Sequence, residues 1–128
     1  MEKRILVLGA NGQIGTVLCK ALVKRYGKQN VILSDIREPK EQISQFEILD
    51  VCDKAHIAKV IDQFQINTIY HLAAILSGNG EKNPALTWKI NHDATVQLFD
   101  LCVEKKIQTI FYPSSIAIYG SKTPKINT

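Results

Sequence analysis

The stretch RILVLGANGQIG, Arg4 to Gly15, decides how the rest of the chain is read. Its first half is a short, continuous apolar run, the pattern of a parallel strand covered on both faces. Its second half spaces Gly9, Gly12 and Gly15 three residues apart. From Gly12 to about Tyr26, Ile14, Val17, Leu18, Ala21 and Leu22 recur at helical spacing and leave Lys20 and Lys24 outward. A strand, a glycine turn and a helix in that order give each glycine a mechanical task. Gly9 permits the tight turn, Gly12 lets a pyrophosphate approach the backbone, and Gly15 lets helix and strand pack closely. The main-chain N–H groups of Gln13 and Ile14, at the helix N-terminus beside Asn11, then meet the negative charge.

A phosphate loop of this kind needs an acid at the end of the second strand. The run NVILSD, Asn30 to Asp35, supplies it 20 residues beyond Gly15. A carboxylate there accepts both hydroxyls of an adenosine ribose and repels a 2′-phosphate, so Asp35 favours NAD over NADP. Ile36 and Arg37 follow on the adenosine side, with Arg37 flanking the adenine or lying in solvent.

Outward from this unit, strands and helices alternate. FEILD (Phe46 to Asp50) reads as a third strand, and a helix from about Asp53 to Phe64 follows, with Asp53 as its N-cap. TIYHLA (Thr68 to Ala73) is a fourth strand and QTIFYPS (Gln108 to Ser114) a fifth. Between them, a Gly/Asn-rich loop precedes a long helix from about Pro84 to Lys105, with Pro in its first turn. Such alternation specifies an α/β domain, a Rossmann-like, doubly wound parallel sheet of order 3-2-1-4-5. The expectation is one NAD-binding domain over residues 1–128, truncated after strand five, because a complete sheet of this kind continues beyond it.

Composition narrows the function classes. The net charge is +4, but the basic residues are scattered and no aromatic residues interleave with them, which argues against a nucleic-acid surface. No apolar run is long enough to span a membrane. Cys19, Cys52 and Cys102 are odd in number, far apart and outside any Cys-x-x-Cys spacing, so reduced thiols in a cytoplasmic protein are expected, with no metal site.

The Gly-x-x-Gly-x-x-Gly spacing resembles the short-chain dehydrogenase/reductase superfamily, and three further segments resemble its extended, epimerase-like branch. LDV places Asp50 and Val51 where that branch contacts adenine, and HLAA places Leu72, Ala73 and Ala74 beside the dinucleotide. YPSSIAIYG resembles the strand-five segment whose catalytic serine or threonine falls on Ser115, and Asn91 in WKINHDAT falls on an asparagine common in the branch's long helix. Within the branch, GANGQIG, YGKQNVILSDIRE, AAILSGNGEKNPALTWKIN and YPSSIAIYG are similar to the short-chain L-threonine 3-dehydrogenases.

The resemblance implies NAD-dependent oxidation of the 3-hydroxyl of L-threonine to 2-amino-3-oxobutanoate. Ser115 would bond the substrate hydroxyl and Ser77 the amino-acid end. It also implies a homodimer built partly on the long helix, with Trp88, Ile90 and Leu98 serving core or dimer surface rather than cofactor. The alternatives are an NAD-dependent UDP-sugar epimerase or dehydratase, and a non-catalytic dinucleotide-binding module. The family's Tyr-x-x-x-Lys pair has no counterpart here, since Tyr119 is followed by Lys122 at three residues rather than four. The 128 residues are therefore expected to carry the NAD-binding part of a longer enzyme and to be inactive alone.

Overall fold

The computed structural model describes residues 2–73 and 83–113, apart from the side chain of Lys89. The first strand, β1 (Ile5–Leu8), is buried on both faces. Ile5 and Val7 pack with Val31, Leu33, Cys19 and Leu22 on one side. Leu6 and Leu8 pack with Ile32, Ile69, Ile57, Val60, Leu98 and Leu101 on the other. The two-residue alternation of a strand thus feeds two separate cores, which is why all four of its positions must be apolar.

Helix α1 (Gln13–Tyr26) leads to β2 (Val31–Asp35), β3 (Gln45–Ile48) and helix α2 (Lys54–Phe64). Strand β4 (Thr68–His71) precedes α3 (Pro84–Trp88), a π-helical turn (Lys89–Asp93), α4 (Ala94–Glu104) and β5 (Thr109–Phe111). The strands form one parallel sheet in the expected order β3-β2-β1-β4-β5. Register is set by the core: Leu6 lies between Ile32 of β2 and Ile69 of β4. Helix α2 begins at Asp53, whose carboxylate accepts the His56 amide at 3.1 Å and so satisfies one of the donors left open in the first turn.

At the amino edge of the sheet, Arg4 fastens the connections. Its Nε donates to the Phe64 carbonyl, and its Nη1 donates to the Gln29 carbonyl and to Asn30 Oδ1. This edge is closed by hydrogen bonds, and the carboxyl edge is where the loops open.

Two expectations need correction. In α1, the residues turned to the sheet are Gly15, Cys19 and Leu22, while Ile14 and Val17 are 62% and 72% exposed. Gly15 sets this rotation: a methyl group there would lie 2.6 Å from the carbonyl oxygens of Gly9 and Ala10, so the helix rests on that backbone. The second correction concerns the long helix, which is interrupted by the π turn. One extra residue per turn re-aims the side chains on either side of it, burying Ala94, Thr95, Leu98, Leu101 and Cys102 in α4.

Candidate dinucleotide cleft

The carboxyl ends of β1, β2 and β4 converge on an open cleft of about 200 Å³. Gly9 forms its floor with φ +84°, a conformation that side chains rarely adopt. The amides of Gly9 and Ala10 both donate to the Ser34 carbonyl, at 3.0 and 2.9 Å, so the loop is strapped to the end of β2. On the other side the Leu72 amide donates to the Leu8 carbonyl at 2.8 Å. A methyl group at Gly9 would stand 2.6 Å from the Ala73 nitrogen, so the exit of β4 is pressed against the glycine turn.

Gly12 differs from both of its partners. Its φ is −70°, which any residue adopts, and the nearest neighbour an added methyl group would meet is the Gly9 oxygen at 3.6 Å. Nothing among the described residues demands glycine there. The space a side chain would fill belongs to the cleft. Gly12 is also the N-cap of α1, with no side-chain capping bond and no acidic residue in the first turn. Among the described residues, no side chain caps the leading amides of the helix, whose positive dipole end faces the cleft.

Asp35 closes β2 at the cleft wall. Its Oδ2 accepts the Asn11 amide at 2.9 Å and its Oδ1 accepts the Ile36 amide at 2.7 Å. Each oxygen keeps a lone pair for a further donor. The Asn11 side chain reaches across to donate to the carbonyls of Arg37 and Glu38, at 2.9 and 3.3 Å. Asp50 is exposed at the rim, its Oδ1 held by the Cys52 amide at 2.9 Å, and the adjacent Val51 is buried. The donor and acceptor set fits a dinucleotide: open backbone at Gly12 for phosphate, a fixed carboxylate for ribose, and apolar walls for a base.

Of the residues singled out in the sequence, Gly9, Gly12, Asp35, Ile36, Asp50, Val51, Leu72 and Ala73 all line this cleft. Asn11 stands in the same loop, and Gly15 is buried beneath it. Gln13 and Ile14 face outward along α1 with Val17 and Ala21, and Arg37 is exposed. Asn91 lies half-buried in the π turn. Ala74, Ser77 and Ser115 fall outside the described residues.

Sequence reasoning missed that Leu8, Leu49 and Ile90 also line the cleft. Ile90 packs against the core, as expected, and also lines the cleft. No periodicity announces that second role, because the π turn shifts its direction. Leu98 does enter the core, at 1% exposed, and Trp88 is 60% exposed.

Behind the cleft, His71 is buried on β4 with Nε2 2.8 Å from Thr95 Oγ1. Burial pushes its pKa down to about 4, so it is neutral at physiological pH. Burial also pushes the Cys19 and Cys102 thiols up to about 11, which removes both as nucleophiles. Among the described residues, no cluster of three or more His, Cys, Asp or Glu is placed to hold a metal ion. Nor is any helix there long and apolar enough to cross a membrane.

Known proteins share this arrangement. The sequence pattern of the NAD dependent epimerase/dehydratase family matches residues 5–128. An epimerase/dehydratase of Staphylococcus saprophyticus is 43% identical over 130 residues, spanning 98% of this chain and 40% of its own length. A solved GalE-like L-threonine dehydrogenase from Cupriavidus necator superposes with a TM-score of 0.91 at 39% identity, covering 98% of this chain and 41% of that one. A UDP-glucose 4-epimerase from Thermus thermophilus, solved with NAD, superposes with a TM-score of 0.82 at 25% identity, covering 96% and 41%. The chain thus spans about 40% of the length of the relatives it matches.

Proposed function

Because the chain belongs to the NAD dependent epimerase/dehydratase family, we propose that its cleft binds NAD and that it forms the cofactor-binding part of an enzyme oxidising the 3-hydroxyl of L-threonine. The observation that carries NAD binding is Asp35, a carboxylate fixed by two backbone amides beside the open backbone of Gly12. Support for threonine over a UDP-sugar comes from the higher identity to the L-threonine dehydrogenase, 39% against 25%.

In this reading Asp35 accepts the adenosine ribose hydroxyls, and Gly12 with the leading amides of α1 receives the pyrophosphate. Asp50 accepts from the adenine amino group, with Val51 and Ile36 as apolar walls. Leu72, Ala73, Ala74 and Asn91 border the dinucleotide toward its nicotinamide end. When bound, NAD supplies the hydride acceptor. Ser115 holds the substrate hydroxyl and Ser77 the amino-acid end. The proton on that hydroxyl needs a general base of the Tyr-x-x-x-Lys kind, so NAD binding without threonine turnover is the behaviour expected of the 128 residues.

Calorimetric titration of the chain with NAD⁺ and NADP⁺ tests the cofactor assignment. Hydrogen bonds to a charged acceptor contribute about 1.5–3 kcal/mol, so Asp35→Asn is expected to weaken NAD⁺ about ten- to a hundredfold and to narrow the preference over NADP⁺. Unchanged NAD⁺ affinity in that variant would remove Asp35 from the site.

We also propose a homodimer built on the outer face of the long helix. Trp88, His92, Val96, Phe99 and Val103 follow one another at intervals of four, four, three and four. Trp88 stacks on His92 at 4.2 Å, and Val96, Phe99 and Val103 are exposed. An apolar stripe at this spacing is the seam of a helix–helix contact. Sedimentation should show the chain self-associating, and Val96→Glu combined with Phe99→Glu should yield monomer. A wild-type chain that stays monomeric at high concentration would defeat the assignment.

A further inference from the structure

We propose that Asn11 is a positioning residue that latches the glycine turn to the loop after β2 and thereby presents Asp35 to the ribose, rather than a ligand of the dinucleotide. The inference rests on reading the cleft as an NAD site. Asn11 has one backbone and two side-chain N–H donors. The backbone donor is taken by Asp35 Oδ2 at 2.9 Å, and the side-chain amide is engaged by the carbonyls of Arg37 at 2.9 Å and Glu38 at 3.3 Å. Its N–H groups are therefore committed to the chain and have nothing to offer a phosphate.

What they join matters. Gly9 and Ala10 hold one side of the turn to the Ser34 carbonyl, the residue before Asp35. Asn11 holds the other side to the two residues after Ile36, while Ile36 donates its amide to Asp35 Oδ1. The carboxylate is thus bracketed before and behind by one three-residue segment, Gly9 to Asn11. The pyrophosphate and ribose subsites become a single preformed cradle, so that little ordering remains to be done when a dinucleotide arrives. A simple turn asparagine would bond its own neighbouring backbone, whereas this one reaches 26 and 27 residues along the chain.

The test is a double-mutant cycle on NAD⁺ affinity, with melting curves as a folding control. Asn11→Ala is expected to weaken NAD⁺ about five- to tenfold, the scale of one or two net hydrogen bonds. In an Asp35→Ala background the same change should cost less than about twofold, because there is no carboxylate left to present. Equal losses in both backgrounds would overturn the latch and make Asn11 an independent contact or a purely structural residue. Asn11→Asp keeps the shape but turns a donor into an acceptor facing two carbonyls, so it should bind more weakly than Asn11→Ala. Wild-type affinity in Asn11→Asp would also overturn the proposal.

A ligand-free readout separates the latch from the cofactor reading. Amide exchange at Ile36 should accelerate several-fold in Asn11→Ala while exchange at Leu6, in the core, stays unchanged. If the wild-type chain takes up no NAD⁺, the cofactor reading fails. The latch is then judged by Ile36 alone, where acceleration supports it and wild-type exchange refutes it.

Discussion

Replacing Gly9 with alanine is expected to cost about 2–5 kcal/mol of folding stability, and replacing Gly12 with alanine is expected to cost almost none while abolishing most NAD binding. The two glycines belong to one motif and have opposite reasons for being there. At Gly9 the backbone has φ +84°, and an added methyl group meets the Ala73 nitrogen at 2.6 Å and the Leu72 carbonyl carbon at 2.8 Å. Left-handed strain of about 1–2 kcal/mol adds to about 1–3 kcal/mol for forcing atoms into packed backbone. Because the obstacle is main chain, relief requires β1 and β4 to part. Gly12 has ordinary dihedrals, and its nearest neighbour would stand in van der Waals contact at 3.6 Å.

Urea denaturation of both variants, with NAD⁺ titration of Gly12→Ala, reads the two effects separately. The expected pattern is a large stability loss for Gly9→Ala, and for Gly12→Ala a midpoint near wild type with at least about tenfold weaker binding, the equivalent of about 1.4 kcal/mol. Wild-type NAD⁺ affinity in Gly12→Ala would mean that no ligand backbone passes over that position.

The second large effect is a pH dependence carried by one buried side chain. His71 makes its bond to Thr95 through Nε2, while Nδ1 has no partner among the described residues, and the Tyr112 ring stacks over it at 5.2 Å. The folded pKa of about 4 lies below the ordinary value of 6.5. Between those values the unfolded chain binds a proton that the folded chain refuses, so stability falls as pH falls through the window and is unaffected by this group above it. The linkage amounts to roughly 3 kcal/mol over the full window.

Comparing urea midpoints at pH 7.5 and 4.5 for the wild type and His71→Gln isolates the contribution. Glutamine can still reach Thr95 but does not titrate. The wild type should lose roughly 2–3 kcal/mol more than the variant between the two conditions. Equal losses would show that the folded chain accommodates a charged His71.

Much of this architecture was legible in the residues, and the parts that were not share a cause. The apolar run Ile5–Leu8, ending in a glycine turn, reads as a strand buried on both faces, and the alternation of such runs with helical patterns points to the order of the sheet. Asp35 and the glycines were legible because turn geometry and a carboxylate at a strand end are local properties. Ile14 and Val17 were misplaced because helical spacing gives the period of a stripe but not its rotation against the sheet, which Gly15 sets through contacts with Gly9 and Ala10. Ile90 packs against the core as expected, but its second place on the cleft wall was not legible, because a π turn alters the period itself and no side chain in Lys89–Asp93 announces the extra residue. Leu8 and Leu49 looked like ordinary core positions, and they are; they serve the cleft only because β1 and β3 end there.

The contact between Gly9 and the Leu72–Ala73 backbone also limits what can be transplanted. A seven-residue phosphate loop looks like a portable cassette that could be grafted into any strand-to-helix turn. Here the turn has been shaped against a segment more than sixty residues away in the chain. A graft that carried GANGQIG without the exit of β4 would leave a void on one side of the loop or a collision with whatever stood in its place. The smallest transferable unit is the loop together with the strand end it leans on.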